Sequence, residues 1–339
     1  MARRELSPAQ WAVVQAVRAA LAGVPWPGDI LTVRVACSGG ADSLALAAGL
    51  AWLDTHEPDP LRHSTALVVD HGLQAGSQAV AAGVCQVLQG LGLAAQVAAV
   101  TVPTTSPDGL EAAARQARYD ALARGDADVV LVGHTLDDQA ETVLLGLARG
   151  SGTRSLAGMP GSWTMPAEAG DSPSAAAVRF VRPLLGLRRT VTRQACADWG
   201  LTPWDDPMND DPRFARVRAR RLLPLLDEAL GPGIVEALGR TAALTRADAD
   251  QLDTEAAALL EGLGADDGLP VSLVASISPA LRGRLVRGWL ATYGLTELSY
   301  ERTQAVLALV EDWHGQAGVD LPGNQRVVRE AGCLRIKEN

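Results

Sequence analysis

Lysine is almost missing from this chain of 339 residues: Lys337 is the only one, and every other basic side chain is arginine or histidine. That excludes a P-loop of the Gly-x-x-x-x-Gly-Lys-[Ser/Thr] type and any catalytic lysine inside a core. Phosphate, if handled at all, must be held by backbone amides, arginines and metal. Aromatic residues are 4 % of the chain, so its cores are built mainly from Ala, Leu and Val. The four cysteines, Cys37, Cys85, Cys196 and Cys333, show no Cys-x-x-Cys spacing, which argues against a zinc site and against a disulfide scaffold. No apolar run approaches the ~18 residues needed to span a bilayer. The start, Met-Ala-Arg-Arg-Glu-Leu, carries charges with no apolar segment behind them, unlike a secretory signal. The expectation is a cytoplasmic protein in a reducing compartment, with no membrane association.

Apolar residues make up 47 % of the sequence, and the length suits two domains. The net charge of -9 speaks against nucleic acid until its distribution is considered. Arginines 179, 182, 188, 189, 193, 213, 216, 218, 220 and 221 face only Asp198, Asp205, Asp206, Asp210 and Asp211 over the same stretch. A basic zone on an acidic body suits a local phosphate contact; a solvated helix face is the alternative.

Ser7-Pro8-Ala9-Gln10 reads as a capping box with proline at the first helical position, opening a helix to about Ala22. Strands are expected at 31–37, 66–70, 94–102 and 128–133, alternating with helices at 42–53, 77–91, 109–123 and 136–149. That alternation implies an α/β fold, a parallel sheet with helices on both faces, with ligands at the carboxyl ends of the strands. Phe180 to Leu185 reads as a last strand or turn, and Ser162 to Ala177 as a surface loop. Residues 1–217 form the expected catalytic domain, with 1–26 as a leading helix. Residues 218–339 form the expected helical accessory domain, with helices over 222–260 and 280–313 and a short β-rich tail, a hairpin over 318–336.

The sharpest signal is Cys37-Ser38-Gly39-Gly40-Ala41-Asp42-Ser43, after the first strand and opening a helix. Two glycines allow close backbone approach to a phosphate, and the helix start offers free amides and a favourable dipole. Asp42 makes sense there if it holds Mg²⁺ against the phosphate. Further along stand Val68-Val69-Asp70-His71-Gly72-Leu73, then Glu111-Ala-Ala-Ala-Arg115-Gln-Ala-Arg118-Tyr119, then Gly133-His134-Thr135-Leu136-Asp137-Asp138-Gln139-Ala140-Glu141-Thr142. Glu111, Arg115 and Arg118 share one helix face, which alone is no more than a surface ion pair. Three carboxylates at a helix start could simply complement its dipole.

Taken together, these stretches resemble the ATP pyrophosphatase (N-type, PP-loop) family, and within it the lysidine synthetases. The resemblance covers about residues 31 to 224 and includes Arg149-Gly-Ser-Gly152, Gly158-Met-Pro160, Arg182-Pro-Leu-Leu185 and Asp205-Asp-Pro-Met-Asn-Asp-Asp211. The sequence departs from the family pattern at Thr135 (often His), Met208 (usually Ser) and Val217 (usually Asn). The resemblance implies that ATP with Mg²⁺ adenylates the C2 oxygen of the wobble cytidine of a CAU-anticodon isoleucine tRNA, releasing pyrophosphate. The amine of free lysine then attacks C2, and AMP leaves. It implies ATP binding by Cys37, Ser38, Gly39, Gly40, Ala41, Asp42, Ser43, Asp70, His71, Gly133 and His134. Catalysis is expected from Asp42, Arg115, Asp137 and Glu141, metal binding from Asp42 and Asp137, and tRNA contact from Arg182, Arg188, Arg189, Arg216, Arg218 and Arg220. Arg115 is the expected stabiliser of charge on the α-phosphate. Asp137 or Glu141 is expected to hold the lysine ammonium, with Asp138 structural. Which of the three carboxylates binds lysine and which binds Mg²⁺ stays open, and so does a homodimer. Other readings are a different PP-loop enzyme such as a tRNA thiolase, which would need sulfur-handling cysteines, and a non-catalytic RNA-binding module.

Overall fold

The computed structural model describes all residues except 1–4, 26–29, 75, 104–108, 151, 167–176, 264–267, 297 and 339. In chain order the elements are α1 (Pro8–Ala22), β1 (Leu31–Ala36), α2 (Ala41–His56), β2 (Arg62–Asp70), α3 (Ser77–Gly90), β3 (Ala94–Ala99), α4 (Leu110–Ala123), β4 (Val129–Leu131), α5 (Leu136–Arg149), α6 (Thr153–Leu156), β5 (Ser162–Met165), β6 (Val178–Val181), α7 (Arg189–Trp199), α8 (Ala215–Leu230), α9 (Ile234–Glu261), β7 (Leu269–Pro270), α10 (Val271–Ser276), α11 (Pro279–Ala291), α12 (Tyr300–Glu311), β8 (Val319–Leu321), β9 (Gln325–Glu330) and β10 (Cys333–Glu338). They fall into two compact units, 1–148 with 158–242, and 149–157 with 243–339. The division lies later than the expected 217/218. Leu223 of α8 and Val235 of α9 pack with Ala140 of α5 in one small core, so this part of the helical region belongs with the first unit.

The first unit holds a six-stranded sheet in the order β3-β2-β1-β4-β6-β5. All neighbours are parallel except β5, which runs antiparallel to β6. Side-chain alternation along the strands feeds two cores. Val33, Val35, Ala66, Val68, Val129 and Leu131 meet α1, α2, α3 and α7 on one face. Leu67, Val130, Val132 and Phe180 meet Tyr119 and Leu122 of α4 on the other. This is the expected sheet with helices on both faces. α1 starts as expected: Ser7 Oγ accepts from the Gln10 amide, and the Gln10 side chain accepts from the Ser7 amide at 2.8 Å. α2 is buried on nearly all sides, from Ser43 through Ala51, because sheet, α1 and α7 enclose it. Each fully buried leucine there, such as Leu46 or Leu50, contributes about 1.5–3 kcal/mol.

Three expectations change. Ser162–Met165 is an edge strand, not loop, because Trp163 stacks on Phe180 at 4.9 Å and 19°; residues 167–176 of the expected loop lie outside the described residues. Both long helices expected in the second half are broken at glycines in positive φ, where side chains are strongly disfavoured: 222–260 at Gly231 and Gly233, with φ of 98° and 95°, and 280–313 between Ala291 and Tyr300, with Gly294 at 81°. The C-terminal hairpin is part of a four-stranded antiparallel sheet, β7-β10-β9-β8. The second unit therefore joins helices to a sheet over a core of Leu269, Leu285, Val286, Leu290, Val306, Val327 and Leu334. Its first strand is two residues long, too short to leave an alternation pattern.

Candidate active site

The order of the strands reverses between β1 and β4, and a cleft of about 790 Å³ opens at their carboxyl ends, the ligand position of such sheets. Its floor is the turn from β1 into α2. Gly39 takes a φ of 87° there, and a Cβ on it would stand 2.5 Å from Val84 Cγ2. Ser43 Oγ lies 3.2 Å from the Ser38 amide and 3.3 Å from Ser38 Oγ, and donates to the Gly40 carbonyl at 2.9 Å. The turn is thereby closed on itself while α2's first amides face outward from a helix start. Trp204 also donates its backbone N–H to the Gly39 carbonyl at 2.9 Å. Gly133, two residues beyond β4, comes so close that a Cβ would lie 3.0 Å from the Ser43 nitrogen. Of the expected nucleotide contacts, Cys37, Ser38, Gly40, Ala41, Asp42, Ser43, Asp70, His71, Gly133 and His134 line the cleft, and Gly39 shapes it from behind.

The second wall is charged. Arg189, at the start of α7, reaches into a ring of carboxylates: Nη2 donates to Asp138 Oδ1 at 2.6 Å, Nη1 and Nη2 to Glu141 Oε1 at 3.3 Å each, and Nε to Asp42 Oδ2 at 3.4 Å. Arg220 of α8 donates to Glu141 Oε1 at 2.8 Å. Glu141 is fully buried, and its other oxygen, Oε2, has no hydrogen-bond partner. Burial lowers the Arg189 pKa, but Asp138, Glu141 and Asp42 outweigh it and push it above the ordinary arginine value. Burial likewise opposes ionisation of Asp138, yet Arg189 and the Thr135 amide, which donates at 2.8 Å, hold it below the usual carboxylate range. Asp42 goes the other way: burial raises it, against a hydrogen bond from Thr192.

This geometry revises several expected roles. Asp138, expected to be structural, lines the cleft, whereas Asp137 and the fully buried Glu141, both expected to be catalytic, do not. Asp137 Oδ2 accepts from the Arg189 amide at 2.7 Å and Arg188 Nε at 3.2 Å, and Oδ1 from Arg188 Nη2 at 3.4 Å. Arg118 lines the cleft, while the exposed Arg115 stands over the Tyr119 ring at 5.0 Å. Four of the arginines expected on tRNA, Arg182, Arg188, Arg189 and Arg220, are committed elsewhere. Arg189 neutralises the acid ring. Arg188 bridges Asp137 and Glu236. Arg182 is 6 % exposed, lies 3.9 Å over the Trp163 ring, and donates to the Pro160 carbonyl at 2.6 Å and to His134 Nδ1 at 3.1 Å. Arg216 is half-buried, Arg220 holds Glu141, and Arg218 is exposed with hydrogen bonds to the Pro212 and Arg213 carbonyls. His134 is driven by burial and by Arg182 to a pKa of about 3, so it stays neutral. Sequence reasoning missed Trp204, which lines the cleft, and the Gln74 to Asp206 hydrogen bond of 3.0 Å across its mouth. Nothing local marks either one.

The anion cradle, the acid ring and the sheet define an ATP-utilising PP-loop protein. The PP-loop domain family model matches residues 27–226, and a TilS substrate binding domain matches residues 269–335. The chain is 46 % identical over 338 residues to a tRNA(Ile)-lysidine synthase of Salinispora tropica, with 97 % of this chain and 96 % of the relative covered. It is 49 % identical to one of Rhodococcus erythropolis, with 97 % and 94 % covered. The chain belongs to the tRNA(Ile)-lysidine synthase family. Among solved structures, the U34-tRNA thiolase NcsA from Methanococcus maripaludis with its [4Fe-4S] cluster shares the fold, with a TM-score of 0.52 at 18 % identity over 76 % of this chain and 81 % of that one.

Proposed function

We propose that this chain ligates free lysine to C2 of the wobble cytidine of a CAU-anticodon isoleucine tRNA, using ATP and releasing AMP and pyrophosphate, to form lysidine. The observation that carries the reading is one cleft, built by a single chain, that sets a phosphate cradle beside an acid ring able to take a substrate cation. Amides at the start of α2, with Ser38 and Ser43, bind the ATP phosphates. The cytosine C2 oxygen attacks the α-phosphorus and pyrophosphate leaves, and Arg118 faces the charge that builds there. The residues fit Mg²⁺: Asp42 lines the cleft and offers hard carboxylate oxygens beside the phosphate cradle. Among the described residues no three acidic, His or Cys side chains form a ready-made cage, so phosphate oxygens would complete the coordination. When bound, the ion would neutralise phosphate charge as pyrophosphate departs.

Free lysine carries an ammonium with a pKa of about 10.4. Asp138, the acid of the ring that lines the cleft, holds it and accepts its proton as the amine attacks. The neutral amine bonds to C2 as the bond from C2 to the AMP oxygen breaks. The exposed Arg218 and the second unit contribute tRNA contacts. A tRNA substrate supports a cytoplasmic location.

A thiolase reading finds no support in the cysteines. Burial pushes the Cys37 thiol up and, with Asp42, raises Cys196 to about 12, whereas sulfur transfer needs thiolates. The test uses purified protein, Mg²⁺, ATP and radiolabelled lysine with a CAU-anticodon isoleucine tRNA transcript, and methionine tRNA as control. Label on the isoleucine tRNA alone, with AMP release, is expected. AMP formation without lysine transfer would overturn the lysidine assignment and leave the PP-loop chemistry standing.

A further inference from the structure

The two adjacent acids of α5 look interchangeable by sequence, yet they face different ways. Both oxygens of Asp137 are occupied, by the Arg189 amide at 2.7 Å and by Arg188 Nε and Nη2 at 3.2 and 3.4 Å. Its side chain is 14 % exposed and absent from the cleft wall, so little remains to offer a substrate ammonium or a divalent cation. α7 has the complementary lack: its N-cap residue, Arg188, makes no side-chain capping hydrogen bond. First-turn amides need such a partner, and Asp137 supplies it from a separate helix. The capped residue is Arg189, whose guanidinium holds Asp42, Asp138 and Glu141 together. Arg188, clamped between Asp137 and Glu236 of α9, fixes the same turn from the other side.

We propose that Asp137 is a positioning residue: it caps α7 in trans and clamps Arg188, so that Arg189 presents its guanidinium to the Asp42–Asp138–Glu141 ring. The inference rests on the lysine-ligating reading above, but its first readout does not depend on activity. Asparagine keeps a side-chain oxygen that can accept from the Arg189 amide, and Asn is as good an N-cap as Asp; alanine keeps neither the oxygen nor the charge.

The experiment compares Asp137→Asn, Asp137→Ala and the unaltered protein by hydrogen exchange of the α7 first-turn amides and by steady-state lysine incorporation. Amide protection is expected to survive in Asp137→Asn and to fall in Asp137→Ala. The lysine KM is expected to stay within about threefold in the asparagine variant and to rise roughly tenfold in the alanine variant, the size of a lost cap, with the KM for ATP changing less. An asparagine variant that keeps its amide protection yet loses lysine binding as severely as alanine would show that the carboxylate itself binds substrate, and would overturn the proposal. Unchanged exchange in both variants would overturn it as well. If the alanine variant does not fold, the asparagine variant decides alone: retained KM supports positioning, and lost KM with retained protection refutes it. If the unaltered protein does not incorporate lysine, the functional reading fails, while the exchange result still tests the cap.

Discussion

Replacing Gly133 by alanine tests how the cleft is built, because it adds one methyl group where the structure leaves no room. The new Cβ would lie 3.0 Å from the Ser43 nitrogen and 3.1 Å from both the carbonyl carbon and oxygen of Asp42. Carbon contacts settle at about 3.5–4.0 Å, so either the end of β4 or the first turn of α2 must move by roughly half an ångström. Neither yields easily. β4 is hydrogen-bonded between β1 and β6, and α2 is buried from Ser43 onward. Overpacking of this kind costs about 1–3 kcal/mol. Much of it is expected to appear as displacement of the phosphate-binding amides, because a helix start has fewer bonds to break than a central strand. The expected result is a loss of ATP affinity of about tenfold, which corresponds to about 1.4 kcal/mol, with a modest drop in stability. Calorimetric titration with ATP and Mg²⁺ measures the first, and urea unfolding the second. Gly83→Ala on α3 is the control, since a Cβ there meets nothing within 4 Å; it should gain about 0.5–1 kcal/mol and bind ATP normally. A folded Gly133→Ala protein that binds ATP as tightly as the unaltered chain would refute the close approach of β4 to α2 as the determinant of the cradle.

Arg189→Ala strands a fully buried Glu141 with only Arg220 and is expected to cost about 3–5 kcal/mol in urea unfolding. Arg189→Lys should not restore it, because one ammonium cannot span three carboxylates as a planar fork does. His134 is held neutral in the fold at a pKa of about 3 against an ordinary 6.5. The unfolded chain therefore binds the extra proton first, so this contribution is full above about pH 6.5 and is lost as pH falls toward 3. A plot of Tm against pH should flatten over that window in His134→Asn and not above it. Arg218→Ala should weaken tRNA binding and reduce its salt slope by about one, whereas Arg182→Ala should lower stability and leave the slope unchanged. A slope change at Arg182 would show that its guanidinium reaches phosphate after all.

The cradle was readable because its causes are local. A strand ending in Ser-Gly-Gly-Ala-Asp-Ser has the donors, the positive-φ residue and the helix start within a few positions. The alternation of strands and helices likewise specified a parallel sheet, since buried strands and amphipathic helices leave periods visible in any short window. The acid ring was readable only in outline. Asp137, Asp138 and Glu141 are marked as a group, but the choice between the two aspartates depends on the N-terminus of α7, whose Arg189 amide lies 52 residues further along the chain. The basic zone shows the same boundary. Counting ten arginines against five acids over 179–221 predicts free positive charge, yet Arg188, Arg189 and Arg220 spend theirs on Asp137, Asp138, Glu141 and Glu236, which lie outside that stretch. Arg182 is withdrawn under Trp163, on an edge strand too short to announce itself.

Residue type and near spacing thus settled the chemistry this chain can hold: an anion cradle without lysine, and carboxylates beside it. Which charges remain for a substrate was settled by folding. Pairing depends on what a side chain meets across the sheet and at helix ends, and burial makes each such pairing costly to leave unmade.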